Sequence, residues 1–413
     1  MFKKSFFLIT CVVLVIVGFL NAVYMIHKTG SFPYPSGFLT IDSKYYLAGM
    51  ISILKNGDFL ALKDLYHSPG YQLYLALLAS IIGIKANFII TVKIISLILF
   101  AITSSMLFLT VRRMTCLNVA LLTTAFFSMS VKWHTYISII QPEVLLGFLG
   151  MSIIFLSPSC SIDRSIKSSL HLLLLGLLSA TICMIQVRFL LIIPCMMMII
   201  IIKKPLVKNF KNKIIAVLTF LIPVLAIIGG WSVYQSERLK KPVLIQTNSK
   251  FRLELAYNLN STGKAFPYPE IKKPVGFNLI RERPDKFIWL LKERFLYLWD
   301  LKKDRWYLGN PFSLYFQTSF KPGNYDRSLY TILFFLFLIG IIFRTLADLN
   351  TRTWTNFIPF LILMVHFSGP LLVFSSSRFI IPALPLVSFY QAFALWQILQ
   401  YMKKLLNKTI PDL

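Results

Sequence analysis

The sequence predicts an all-α polytopic membrane protein with about ten transmembrane helices, in a range of roughly nine to twelve. Three observations carry this. Of 413 residues, 56% are hydrophobic and only 14% are charged, whereas soluble globular domains are about 25% charged. The apolar residues fall in runs long enough to cross a bilayer, which takes about 20 such residues. The basic residues, 43 against 16 acids, fall in short clusters between those runs, as the positive-inside rule requires.

The first run, 5–25, follows Lys3 and Lys4. It is longer than a typical signal-peptide core, so it reads as an uncleaved first helix. Further spans are predicted at 87–110, 115–132, 140–157, 169–187, 189–202, 214–233, 328–343, 354–374 and 379–400. The run 189–202 is short and must extend into its flanks or cross a thinner part of the structure. With this set both termini are cytoplasmic. So are Arg112/Arg113, Arg164/Lys167, the Lys203–Lys213 cluster, Arg344/Arg352 and Lys403/Lys404. The short outer turns near 134–139 and 375–378 are charge-poor. A crossing at 70–84 would move Arg112 and Arg113 outside and is disfavoured.

On this topology the chain divides in three. Residues 1–233 form an N-terminal transmembrane module with a first outer loop, 26–86. Residues 234–327 form a small, basic extracytoplasmic α or α+β domain. Residues 328–413 carry the C-terminal transmembrane helices. In the first loop, Tyr45, Tyr46, Leu47, Met50, Ile51 and Leu54 make an apolar stripe at helical spacing over 42–55. That piece and 70–84 fit interfacial helices with tyrosines at headgroup depth. The stretch 284–300 starts with Pro284 and alternates apolar and basic faces, as an amphipathic helix does.

A formal charge of +27 raises nucleic acid as a partner. Clusters placed between apolar spans point instead to membrane lipids and cytoplasmic loop ends, with no nucleic acid. The five cysteines lack paired spacing and read as small hydrophobes. There is no Walker, GxGxxG, HExxH or CxxC pattern. Nucleotide-driven pumping and a zinc site are therefore not expected.

A carboxylate close to the bilayer is a functional candidate by default. Asp42, in TIDSKYYLAGM, is either the N-cap of the helix that follows or a general base, and the two roles are compatible. Glu143, in QPEVLLGFLG, is either a first-turn acid favoured by the helix dipole or a second acid of the same cavity. His67, in YHSPGY, is a loop histidine or a group that contacts phosphate or shuttles a proton. Arg188 and Arg378 lie in outer turns, where guanidinium suits a lipid phosphate or snorkels to headgroups. Tyr45 and Tyr66 flank these residues and join the donor-side set.

Four stretches, in order, resemble the polyprenyl-phosphate-dependent glycosyltransferases of the GT-C superfamily, in particular the protein mannosyltransferase and aminoarabinose transferase group. They are IDSKYYLAGMISILKNGDF with YHSPGYQLYLALLASIIG, then QPEVLLGFLG, then GWSVYQSERLKKPVLIQTNSKFRLELAYNLNSTGK, then SRFIIPALPLVSF. The resemblance implies an inverting transfer of a sugar from a polyprenyl phosphate donor to a hydroxyl of a glycan, lipid or protein. It implies that Asp42 is the catalytic acid of the first loop, Glu143 the second acid, His67 a donor contact and Arg378 a phosphate clamp. Many members carry two adjacent acids in the first loop. Here Ser43 follows Asp42, so a divalent metal is not favoured and no cofactor is expected. The rivals are a glycan polymerase or ligase using lipid pyrophosphates, a lipid-linked sugar transporter or flippase, and a fold-retaining pseudoenzyme.

Overall fold

The computed structural model describes residues 16, 20, 41–56, 67–84, 88–128, 130–137, 139–157, 166–202, 210–246, 249–263, 270–299, 301, 325–351, 358–373 and 377–409. Almost all of the first predicted span, together with Tyr66, lies outside them. The described residues are overwhelmingly helical and form no strand, only one isolated bridge between Asn258 and Val275.

The first loop supplies α1 (Ile41–Asn56) and α2 (Gly70–Ile82), packed against each other. Tyr46 and Met50 of the α1 stripe are buried, while Tyr45 and Ile51 point outward. Next come α3 (Phe88–Met114), α4 (Leu117–Ser128), α5 (Val131–Ile137), α6 (Glu143–Leu156) and α7 (Ile166–Ile185). A 3₁₀ turn, Val187–Leu191, leads into α8 (Ile192–Ile202). The predicted span 189–202 thus begins with a tighter turn.

Helix α9 (Phe210–Val224) runs through a π segment, Leu225–Gly229, into α10 (Gly230–Leu239). The π segment follows Pro223, whose ring cannot continue the regular hydrogen-bond ladder. Three shorter helices follow, α11 (Ser249–Ala256), α12 (Phe277–Glu282) and α13 (Pro284–Leu298). The chain closes with α14 (Tyr325–Thr351), α15 (Ile358–Leu372), a 3₁₀ segment Ser377–Ala383 and α16 (Leu384–Thr409).

Four helical stretches are long and apolar enough to cross a membrane: Phe88–Met114, Lys211–Leu239, Thr331–Asp348 and Arg378–Asn407. Shorter apolar helices stand at five of the other predicted spans, Leu117–Ser128, Glu143–Leu156, Ser169–Ile185, Val187–Ile202 and Ile358–Leu372, and at Gly70–Ile82 in the first loop. The outward faces stay greasy. Helix α3 exposes Ile94, Ile98, Ile102 and Leu109, and α9 exposes Ile214, Ile215, Leu218 and Ile222. Such faces suit hydrocarbon rather than water. Helix α16 is the most enclosed of the long ones, packed on α14 and α4, with Phe389 and Tyr390 buried.

One basic residue of the predicted cytoplasmic clusters has a further structural role. Arg344 is buried in an ion pair with Asp348 at 2.8 Å, and its Nη1 donates to the carbonyl of Met114 at 3.3 Å. It thereby ties α14 to the C-terminus of α3, where the helix dipole favours a cation.

Candidate active site

Asp42 lies in the first turn of α1. The helix begins one residue earlier, at Ile41, so Asp42 is not its N-cap. Its carboxylate is met from the far end of the chain. Arg378, in the 3₁₀ segment before α16, donates from Nη1 to Asp42 Oδ2 at 2.6 Å. Nε of the same guanidinium lies 3.8 Å from Glu143 Oε1. Glu143 is the first residue of α6, after Pro142, and its side chain is 1% exposed. Three elements remote in sequence therefore converge on one charge cluster. Ser43, next to Asp42, is buried and donates to the carbonyl of Ile140 at 3.0 Å.

His67 stands just before α2, its Nε2 4.0 Å from Asp42 Oδ1, beyond hydrogen-bond reach. Its ring lies 5.1 Å from the Tyr46 ring and 5.7 Å from that of Tyr45. Tyr46 is buried and faces the cavity described next, whereas Tyr45 is exposed. Of the two adjacent tyrosines, the structure thus puts Tyr46 at the site. Positions 42 and 46 are one helical turn apart, and that spacing was the signal that separates them.

Electrostatics follow from burial and neighbours. Burial alone would raise the Asp42 carboxyl. The Arg378 charge and hydrogen bond, helped by His67 and Arg252, outweigh it and hold the group below its usual 3.8. Burial pushes His67 down to about 4 against the opposing pull of Asp42, so the imidazole is neutral at pH 7. Burial raises the Tyr46 phenol, and Asp42 and Glu143 raise it further, so it keeps its proton.

Beside this cluster is a cavity of about 310 Å³. Tyr46, His67, Arg188, Arg252, Arg378 and Phe379 are among its walls. Arg188 enters from the 3₁₀ turn, its guanidinium 4.6 Å from the centre of the Phe379 ring. Its Nε and Nη2 are buried without a hydrogen-bond partner among the described residues. Buried, unanswered cationic donors are costly, and an anion in the cavity would satisfy them. Close approach by Gly369 of α15 makes room for this side chain, because a Cβ there would lie 2.6 Å from Arg188 Cβ. Ser68 joins the walls, donating to Gln246 Oε1 at 3.3 Å and accepting from the Val187 amide at 3.3 Å.

The structure thus brings Asp42, Glu143, His67, Arg188 and Arg378 into one neighbourhood and leaves Tyr45 on its exposed flank. Sequence reasoning missed Arg252, Gln186, Gln246 and Ser68, all of which line the cavity. Arg252 sits in a segment where basic residues are common and carries no local signal. Ser68 adjoins the singled-out His67.

Among the described residues, no three His, Cys, Asp or Glu side chains group as a metal site. The Arg378 guanidinium donates to the Asp42 carboxylate and lies within ion-pair distance of Glu143.

No protein-family model and no curated protein matches the chain in sequence. Solved structures match it in fold. ArnT from Cupriavidus metallidurans, in a crystal structure bound to undecaprenyl phosphate, superposes with a TM-score of 0.56 at 10% identity, over 95% of this chain and 60% of its own. The archaeal oligosaccharyltransferase AglB from Archaeoglobus fulgidus, in complex with an inhibitory peptide and a dolichol-phosphate, gives 0.54 at 12% identity, over 100% of this chain and 53% of its own. The Archaeoglobus fulgidus oligosaccharyltransferase in complex with Zn and sulfate gives 0.54 at 13% identity, over 94% and 49%. The chain therefore shares the fold of these neighbours, and it spans about half to three fifths of their length.

Proposed function

We propose that the chain is an integral membrane glycosyltransferase that moves a hexosyl or pentosyl group from a polyprenyl phosphate to a hydroxyl of a glycan, lipid or protein acceptor. The single observation that carries this reading is the cavity with Arg188, Arg252 and Arg378 on its walls and the Asp42 carboxylate against its edge. The lipid phosphates bound to ArnT and AglB support the donor class by analogy of fold. The reading includes the ten-span topology, both termini in the cytoplasm of a plasma (inner) membrane, and a catalytic face outside. It also includes 234–327 as an extracytoplasmic domain between transmembrane modules 1–233 and 328–413.

In this reading the guanidinium groups bind the donor phosphodiester, for which their fork geometry is suited. The acceptor oxygen attacks the anomeric carbon from the face opposite the phosphate. The bond from that carbon to the phosphate oxygen breaks, and its electron pair stays on the phosphate. Charge developing on the leaving phosphate is stabilised by Arg188, Arg252 and Arg378. The acceptor proton passes to Asp42, and the sugar is inverted. Asp42 held by Arg378 is ionised but weakly basic. A phosphate that draws on Arg378 would loosen that hold and raise the basicity of Asp42 when the donor is in place. Neutral His67 and protonated Tyr46 are available as hydrogen-bond donors at the same wall.

The test is transfer in vitro from synthetic polyprenyl-phosphate sugars to membrane extracts, with product mass and anomeric configuration measured. Inverted, sugar-shifted products from a monophosphate donor are expected. Turnover of pyrophosphate donors alone, or lipid-sugar movement without covalent transfer, would overturn the proposal.

A further inference from the structure

Arg294 is a fully buried charged side chain to which no carboxylate among the described residues is bound. It lies on α13 and is 0% exposed. Its Nη1 donates to the carbonyls of Leu371 and Leu372 at 3.1 and 3.2 Å, and its Nη2 donates to the carbonyl of Ala256 at 2.7 Å. The guanidinium also lies over the Tyr257 ring, 4.6 Å from its centre. Each of those carbonyls is at a helix end. Leu371 and Leu372 close α15, and Ala256 closes α11.

The last carbonyls of a helix lack intrahelical partners and carry the negative end of its dipole. One planar cation thus satisfies two helix C-termini at once. Gly263 belongs to the same arrangement. Its φ of +81° suits glycine, and a Cβ there would lie 3.1 Å from Glu293 Cβ and 3.4 Å from Arg294 Cγ.

What the two helix ends carry gives the contact its meaning. Helix α11 holds Arg252, one turn before Ala256, and Arg252 lines the cavity. Helix α15 holds Gly369, Pro370 and Leu372 among the walls of the same cavity, and the chain returns shortly afterwards as the 3₁₀ segment that bears Arg378. We propose that Arg294 is a positioning residue for lipid-phosphate binding. By clamping the ends of α11 and α15 together, it sets Arg252 at a fixed separation from the wall that presents Arg188 and Arg378. This rests on the reading of the cavity as a phosphate site, and it adds that the outer segment 249–299 completes the site through one guanidinium. A lysine cannot replace it fully, because an ammonium lacks the planar fork that reaches carbonyls on two helices.

The test uses the purified full-length chain in detergent and undecaprenyl phosphate as the probe. Binding is measured for wild type, Arg252→Ala, Arg294→Met, Arg294→Lys and the double variant Arg252→Ala/Arg294→Met. Thermal unfolding is followed in parallel. Arg294→Met should weaken binding by about tenfold or more, and Arg294→Lys by less. The double variant should bind within about twofold of Arg252→Ala, since a residue acting through Arg252 adds nothing once Arg252 is gone. If Arg294→Met fails to fold, the same comparison is made with Arg294→Lys, alone and combined with Arg252→Ala. Wild-type affinity in a folded Arg294 variant, or multiplicative losses in the double variant, would overturn the inference while leaving the phosphate site standing. No binding of the probe by wild type would overturn both.

Discussion

Replacing Arg378 with methionine removes one guanidinium from two carboxylates and keeps much of the side-chain volume. The magnitude can be bracketed. Breaking a fully buried pair costs about 3–5 kcal/mol, because the remaining charge stays uncompensated. An exposed pair contributes about 0–1 kcal/mol. Arg378 and Asp42 are 15% and 24% exposed, with a 2.6 Å contact, and Glu143 is 1% exposed at 3.8 Å. The loss should therefore approach the buried limit without reaching it, at roughly 3 kcal/mol near pH 7.

The sign with pH follows from Asp42. Arg378 holds its carboxyl below 3.8 in the folded chain, so the pair contributes stability above that value. The contribution is lost as pH falls through the lower folded-state value. The gap between wild type and Arg378→Met should thus be full at pH 6–7 and narrow below about pH 4. Unfolding in detergent across that range reads it directly. A variant within about 0.5 kcal/mol of wild type at pH 7, the level of an ordinary surface change, would refute the placement of Arg378 between the acids. So would a gap that widens in acid. Arg378→Lys restores the charge but not the two-way reach, and should recover stability better than transfer.

Other outcomes follow from the same geometry. Asp42→Asn should lower turnover by about 10²–10⁴, the usual contribution of a general base, while undecaprenyl phosphate still binds, since Arg378 then lacks its carboxylate. Transfer within threefold of wild type would remove Asp42 as the base. Gly369→Val places side-chain atoms where Arg188 passes, and should weaken lipid-phosphate binding at least tenfold in a protein that still folds, as a binding titration would show. His67 is held at about 4 by burial. Between that value and its unfolded 6.5 the unfolded chain binds the proton, so stability is lost as pH falls through this window. His67→Gln should flatten that slope, by up to roughly 3 kcal/mol at its acid end.

Much of the site was visible one residue at a time. A charge at the end of an apolar run is costly, so Asp42, Glu143, Arg188 and Arg378 stand out without any knowledge of their partners. Arg252 did not, because a lone arginine in a basic segment costs nothing that a sequence can register. Tyr45 and Tyr46 are adjacent and of one type, and only the one-turn spacing of Tyr46 from Asp42 marks which of them turns inward. Arg294 read as one basic position on an amphipathic face, yet it is buried deeper than many of the leucines.

By itself, the sequence determined the helical membrane class, the order of the apolar segments and the polar residues stranded at their ends. These are properties of local composition, set by hydrophobic runs and by the cost of charge beside them. Only the tertiary structure decided that Arg378 reaches Asp42 across 336 positions, that Arg188 and Arg252 share its cavity, and that Arg294 closes two helices at once. Those contacts depend on how helices pack against one another, through the summed fit of many side chains, and no single stretch of chain encodes that fit.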